Sequence, residues 1–406
     1  MSRLRVLFAP RNIAAQPLEW ATALRAAGHH AQVWSFGETA FGLPVDRVWD
    51  ADRLLADPAY RWQVLTEAVD SFDVLHFQYG RSLLNAHEPT LPELWDLPLL
   101  RSLGKRVFMH WHGSDVRLRS VHMEREGPDS YLADAVVDED AINARVSVCR
   151  RFCQRMFVST PGLLDYVPDG VHIPLALDTA AWATQRGPEP AVPVVAHIPS
   201  RRATKGSHHV DAALRPLHEE GLIEYRPLSG LTREQVRSEF GRADLVVDSM
   251  TIGDHGLVAV EAMAAGAVAL AHVHERNRAR SGATPVVEVV PATLAEVVRS
   301  LAGDREERAR LRKAGVAWAA EHHDRKVVAD RLLDHYRAAA TPNPVPAGYP
   351  QWPRTAGDGR LRALEAEIEQ LRTTGRPSGP SLRDRVEANP RLHLLVRRWA
   401  ARARRR

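Results

Sequence analysis

The sequence predicts an α/β protein of two Rossmann-like halves that face one another across a central cleft, with a helical tail behind them. Three observations support this. The chain has 406 residues, too many for one hydrophobic core. Its first 184 residues alternate short apolar strands with amphipathic helices, the pattern of a parallel sheet covered on both faces. The pattern then breaks at 185–193 and starts again.

RVLFAP (5–10) is the first strand, and PLEWATALRAAG (17–28) is a helix closed by Gly28. Strands follow at AQVWSF (31–36), DVLHFQYG (73–80), KRVFMHWHG (105–113), MFVST (156–160) and VHIPLA (171–176). QRGPEPAVP (185–193) has proline, glycine and charge without periodicity and reads as a linker. The second half, 194–322, begins with the strand VVAHI. It continues through a helix from about 206, LIEYRPLS, ADLVVDSM, the helix in GDHGLVAVEAMAAG (253–266) and AVALAHV. A helix at 323–340 is in a position to cross back to the first half. Ligands in such sheets bind beyond the carboxyl ends of the strands, so two facing halves enclose a site.

Beyond 340 the character changes. TPNPVPAGYPQWP (341–353) opens an extended proline-rich linker over 341–359. In 360–373, Leu361, Leu364, Ile368 and Leu371 follow the spacing of a coiled-coil seam over fewer than two heptads, leaving weak self-association and a lone solvated helix both open. Residues 381–406 hold nine arginines against Asp384 and Glu387, an excess of seven. Since the whole chain carries +4, the rest is near −3, and the basic pI of about 9.2 belongs to the tail. That distribution argues against a nucleic-acid enzyme, whose basic residues would spread over its body. Leu392, Leu395, Val396 and Trp399 recur at helical spacing among the arginines, as in a helix lying on an anionic membrane. A disordered basic tail is the alternative.

No apolar run is long enough to span a bilayer. The N-terminal apolar run before Pro10 is too short for the core of a signal peptide. A cytoplasmic location is expected, with the tail able to hold the protein at the inner face of the membrane. Cys149 and Cys153 cannot close a zinc site by themselves and read as reduced structural thiols.

Two stretches of the second half carry chemistry. In GDHGLVAVEAMAAG a glycine precedes a helix start, where unpaired N–H groups and the helix dipole suit a phosphate. Glu261 lies five residues after Gly256, and as an acceptor-only carboxylate it suits two ribose hydroxyls. The competing reading pairs it with an arginine such as Arg276. HIPSRRATKGS (197–207) leaves a strand with Arg202 and Lys205, two cations able to grip a diphosphate. Asp138-Glu139-Asp140 matches a metal-binding Asp-x-Asp in letters, yet it lies in a charged helical stretch and reads as solvated surface.

The order of these motifs resembles the donor-binding half of GT-B fold glycosyltransferases, in particular the retaining family 4. HWHGSD (110–115) resembles that family's N-terminal His-Gly-Ser/Asp-Asp turn, and STPGLLDYVP followed by IPLALDTAAW resembles its crossover segment. The resemblance covers roughly residues 5–340. It implies a GT-B fold and a retaining, metal-independent hexosyltransferase that uses a nucleotide-sugar as substrate and no cofactor. Arg202, Lys205 and the backbone of Gly256, Leu257 and Val258 would hold the donor diphosphate. Glu261 would hold the ribose, and His112 would stand beside the transferred sugar. Asp115 and Asp254 are candidates for sugar contact, with Asp254 also readable as a plain helix cap. His110 reads as structural. The implied acceptor is a glycan, a lipid-linked sugar or a small molecule, in cell-surface glycan or glycolipid synthesis.

Two positions depart from that family. Its usual sugar-contacting Glu is here Gly253, as in members with a Gly-x-x-Gly turn, and the glycine pair after its first strand is here Ala14-Ala15. Both departures support an alternative, a non-catalytic GT-B scaffold that binds nucleotide or glycan. A nicotinamide-dependent oxidoreductase is disfavoured, because no G-x-G-x-x-G follows a strand.

Overall fold

The computed structural model describes residues 3–39, 42–84, 92–184, 187 and 189–338. The sequence features at 341–359, 360–373 and 381–406 lie outside the described residues.

The first half begins with β1 (Arg5–Ala9), α1 (Gln16–Ala26), β2 (His30–Phe36), β3 (Arg47–Trp49), α2 (Ala51–Ala56) and α3 (Pro58–Ser71). Next come β4 (Val74–Gln78), α4 (Asp96–Ser102), β5 (Arg106–Trp111), α5 (Arg119–Glu126) and α6 (Glu139–Phe152). It closes with β6 (Arg155–Val158), β7 (Val171–His172) and α7 (Thr179–Trp182). Its seven strands form one sheet, ordered β3-β2-β1-β4-β5-β6-β7 and parallel throughout. Every residue of β4 is buried, as a strand covered on both faces requires.

The second half contains β8 (Val194–His197), α8 (Arg202–Lys205), α9 (Ser207–Glu219), β9 (Glu224–Pro227), α10 (Arg233–Arg242) and β10 (Leu245–Val247). It continues with α11 (Leu257–Ala264), β11 (Val268–Ala271), α12 (Glu275–Ser281), β12 (Val287–Glu288), α13 (Leu294–Gly303) and α14 (Arg305–His323). The five strands form a second parallel sheet, ordered β12-β11-β10-β8-β9.

The last described helix, α15 (Arg325–Arg337), returns to the first half. Leu177 N donates to His323 O and Arg325 N to Leu177 O, each at 2.8 Å, which fixes the crossing point. Val328, Leu332, Leu333 and Tyr336 then join Phe8, Trp20 and Leu24 in one apolar cluster. The linker is held as well: Glu189 pairs with Arg305, Arg308 and Arg312 of α14.

Cys149 and Cys153 are buried and free. Asp138 caps α6 by accepting from Ala141 N, and Glu139 accepts from Ser120. No helix among the described residues is long and apolar enough to cross a membrane. Ala14 and Ala15, at φ 49° and 60°, adopt the left-handed conformation a glycine pair would take without strain.

Candidate active site

The second half gathers its charges at the end of β10. Asp248 is buried and anchors two motifs at once. One carboxylate oxygen lies 2.5 Å from Lys205 Nζ, and the other accepts from Gly256 N at 2.7 Å. A Cβ at Gly256 would stand 3.2 Å from both Asp248 Oδ2 and Lys205 Nζ, so close approach is what the glycine provides. Gly256 is the N-cap of α11, and Asp248 takes one of the N–H groups expected to face a phosphate. The N–H groups of Leu257 and Val258 have no acceptor among the described residues.

Arg202 and Lys205 do not share one grip. Both lie on the single turn of α8, which Gly206 ends at φ 67°. Arg202 is half-exposed and pairs with Asp211 at 2.6 Å, while Lys205 turns inward to Asp248.

Glu261 sits just past the first turn of α11 and is buried. Its cation is not Arg276, which lies 3.7 Å from Asp165, but Arg233, whose Nε is 3.8 Å from Glu261 Oε1. Arg233 in turn holds Glu19 of α1 at 3.0 Å, and Arg325 lies 3.5 Å from the same carboxylate. Beside them opens a cavity of about 370 Å³ lined by Glu19, Trp182, Arg233, Arg237 and Arg325. Burial pushes the Glu261 carboxyl up to about 8, opposed by Arg233 and assisted by Asp248 and Glu19. At neutral pH the unliganded group is therefore mostly protonated and can donate as well as accept, unlike the acceptor-only carboxylate expected from sequence.

In the first half, β5 delivers His112. Its Nδ1 faces Ser159 Oγ at 2.8 Å and its Nε2 faces Gln78 Oε1 at 2.7 Å. An amide oxygen only accepts, so Nε2 carries the proton. Burial lowers the imidazole to about 3, so it stays neutral. Asp115 fixes the turn by accepting from His112 N and Gly113 N, and burial pushes its carboxyl up to about 6. His110 is buried in a stack with Trp20 at 4.7 Å and His112 at 4.8 Å, a structural place.

The two halves touch at the segment after β6. Asp254 is not a helix cap: its Oδ2 accepts from Gly162 N of the opposite half at 2.8 Å, and its Oδ1 from His255 N. A Cβ on Gly162 would come within 2.6 Å of Asn277 Nδ2 and 2.8 Å of Asp254 Oδ2, so the halves touch through glycine. Arg117, buried two residues beyond Asp115, packs against Gly113 and lies within electrostatic reach of Asp254. Glu126 of α5 reaches across to His272 at 2.9 Å, and His272 also holds Glu288 at 2.8 Å. Arg280 bonds Asp165 at 2.8 Å.

Sequence reading missed Asp248, Arg233, Glu19, Gln78, Ser159 and Glu126. Asp248 had a signal, an acid directly after the apolar strand of ADLVVDSM; the others are met only once the chain folds.

No protein-family model matches the chain, and no curated protein matches it in sequence. Solved structures do. HepE of Anabaena, solved in complexes with UDP and with UDP-glucose, superposes with TM-scores of 0.56 over 83% of this chain and 100% of its own, at 14–15% identity. The catalytic domain of starch synthase IV from Arabidopsis thaliana, bound to ADP and acarbose, superposes with a TM-score of 0.54 over 82% of this chain and 99% of its own, at 13% identity. Sucrose-phosphate synthase from Thermosynechococcus elongatus gives 0.54 over 83% and 98%, at 14% identity. Together with the two facing parallel sheets, these likenesses give the chain the GT-B fold.

Proposed function

We propose that the chain is a glycosyltransferase that moves a sugar from a nucleotide-sugar to an acceptor hydroxyl with retained configuration. One observation carries this reading: Lys205, the N–H groups at the start of α11 and Glu261 cluster in one half of a GT-B fold, and Asp254 beside them bonds Gly162 N of the other half. In this reading Lys205, held by Asp248, and the N–H groups of Leu257 and Val258 stabilise the departing diphosphate electrostatically, without a metal. Arg202 joins them by leaving Asp211. Glu261 binds the ribose hydroxyls. His112, locked by Gln78 and Ser159 and kept neutral, orients the transferred sugar by hydrogen bonding, not by taking a proton. The relatives in fold that hold UDP, UDP-glucose or ADP support a nucleotide-sugar donor. A glycan or lipid-linked acceptor at the inner membrane face follows from the basic tail at 381–406.

A thermal-shift panel of UDP, GDP and ADP sugars tests this, since a ligand bound only by the folded state raises its stability. One nucleotide class should raise the melting temperature, and no shift with any class would remove the reading. The scaffold alternative is supported by Gly253 and Ala14-Ala15, where this chain departs from the family 4 pattern. Slow hydrolysis of the bound donor separates the two, because a scaffold binds and releases the sugar-nucleotide intact.

A further inference from the structure

A second cavity, of about 170 Å³, opens in the first half beside the His112 turn, lined by Tyr79, Arg81, Glu93, Ser114, Asp115 and Arg145. We propose that it binds a phosphate group carried by the acceptor, gripped by Arg81 and Arg145. The proposal rests on the glycosyltransferase reading for the word acceptor, but not for the phosphate.

The charges are the reason. Arg81 is half-buried and forms no ion pair with any described residue; Arg11 and Arg145 oppose its charge, and the carboxylate that favours it is Glu93. Arg145 reaches in from α6, its Cδ 3.7 Å from where a Cβ on Gly80 would stand. Its one carboxylate is Glu93 at 3.2 Å, whose side chain is 57% exposed. Arg11, Arg81 and Arg145 thus share the one exposed carboxylate of Glu93, an excess of positive charge that an anion would relieve, and two planar forks suit the oxygens of a phosphate.

The rest of the lining has a different character. Tyr79 is held at φ 64°, a left-handed conformation strained for a residue with a side chain. In that conformation its hydroxyl lies 2.5 Å from Ser114 Oγ. Asp115 completes the lining and is bonded to His112 N. The cavity thus gathers cations, two hydroxyls and a carboxylate beside the proposed reaction turn. A phosphate bound at the arginines would place the rest of its carrier, hydroxyls included, beside Asp115.

Calorimetric titration of the full chain with glucose 6-phosphate, glucose and soluble dibutyryl phosphatidylglycerol tests this, since the basic tail would answer to vesicles. Glucose 6-phosphate or the short-chain lipid, but not glucose, should bind, the first indicating a soluble acceptor and the second a lipid one. Arg81→Met should weaken that binding at least tenfold, with Arg145→Met as the second variant should the first fail to fold. Lys205→Ala should leave it unchanged, which separates this site from the diphosphate site. Equal binding by wild type and both Met variants, or no binding by either phosphate source, would overturn the proposal. A nucleotide-induced shift that survives Arg81→Met keeps the donor reading standing whichever way the phosphate result falls.

Discussion

The carboxylate of Glu126, from one half, occupies the space that a side chain at Gly253, in the other half, would need. Gly253 also holds φ at 71°, where a side chain is strained whatever the room. Gly253→Ala should therefore destabilise the protein by about 2–4 kcal/mol, combining about 1 kcal/mol of backbone strain with about 1–3 of overpacking. In a Glu126→Gly background, which already lacks the His272 contact, Gly253→Ala should cost only the backbone part. Chemical denaturation reads both; a neutral Gly253→Ala would show that Glu126 moves aside freely.

The same Glu126 joins the halves through His272, and that contact depends on pH. Hydrogen bonds to Glu126 and Glu288 raise His272 to about 9. The unfolded imidazole titrates near 6.5, so the stabilisation is complete below that pH and is lost as pH rises through about 9. The two carboxylates, lowered from 4.5, lose their part only in acid. His272→Gln should then cost on the order of 2–3 kcal/mol at pH 6.5 and progressively less toward pH 9.5. A cost independent of pH over that range would show that the imidazolium is not what joins the halves.

Glu261 shifts stability in the same direction with pH, but as a penalty that grows and not as a bond that is lost. The unfolded carboxyl loses its proton near 4.5 and the folded one near 8, so stability falls as pH rises between those values. Glu261→Gln removes that dependence and should stabilise the unliganded protein at pH 8 by about 1–3 kcal/mol, while weakening nucleotide binding about tenfold. Melting curves at pH 5 and pH 8 check this. A variant less stable than wild type at pH 8 would mean that ionised Glu261 is well paired with Arg233.

How much of this was legible beforehand follows from where each residue gets its partners. The strands and the helix α11 declare themselves because their apolar runs and flanking glycines are local. Gly256 and Glu261 are spaced by one helix, so their shared neighbourhood is also local. The partners of Lys205, Glu261 and His112 were not readable: Asp248, Arg233, Gln78 and Ser159 come from other strands and helices, and only the sheet order brings them together. Arg202 and Lys205 looked like one clamp because spacing does not reveal that a single helical turn sends one outward to Asp211 and the other inward.

The nine arginines of 381–406 predict a salt-sensitive attachment to anionic membranes. Deleting 381–406 should release the protein from phosphatidylglycerol vesicles in a sedimentation assay, while leaving its melting temperature unchanged. Undiminished co-sedimentation would move the membrane contact elsewhere.

The central claim is that Lys205 and Glu261 hold the two ends of one nucleotide. The most direct measurement is the melting-temperature shift produced by the nucleotide-sugar that stabilises wild type, repeated on Lys205→Ala and Glu261→Ala. Both variants should stay folded and lose the shift. If both remain folded and still shift as wild type does, the nucleotide binds elsewhere and the account fails.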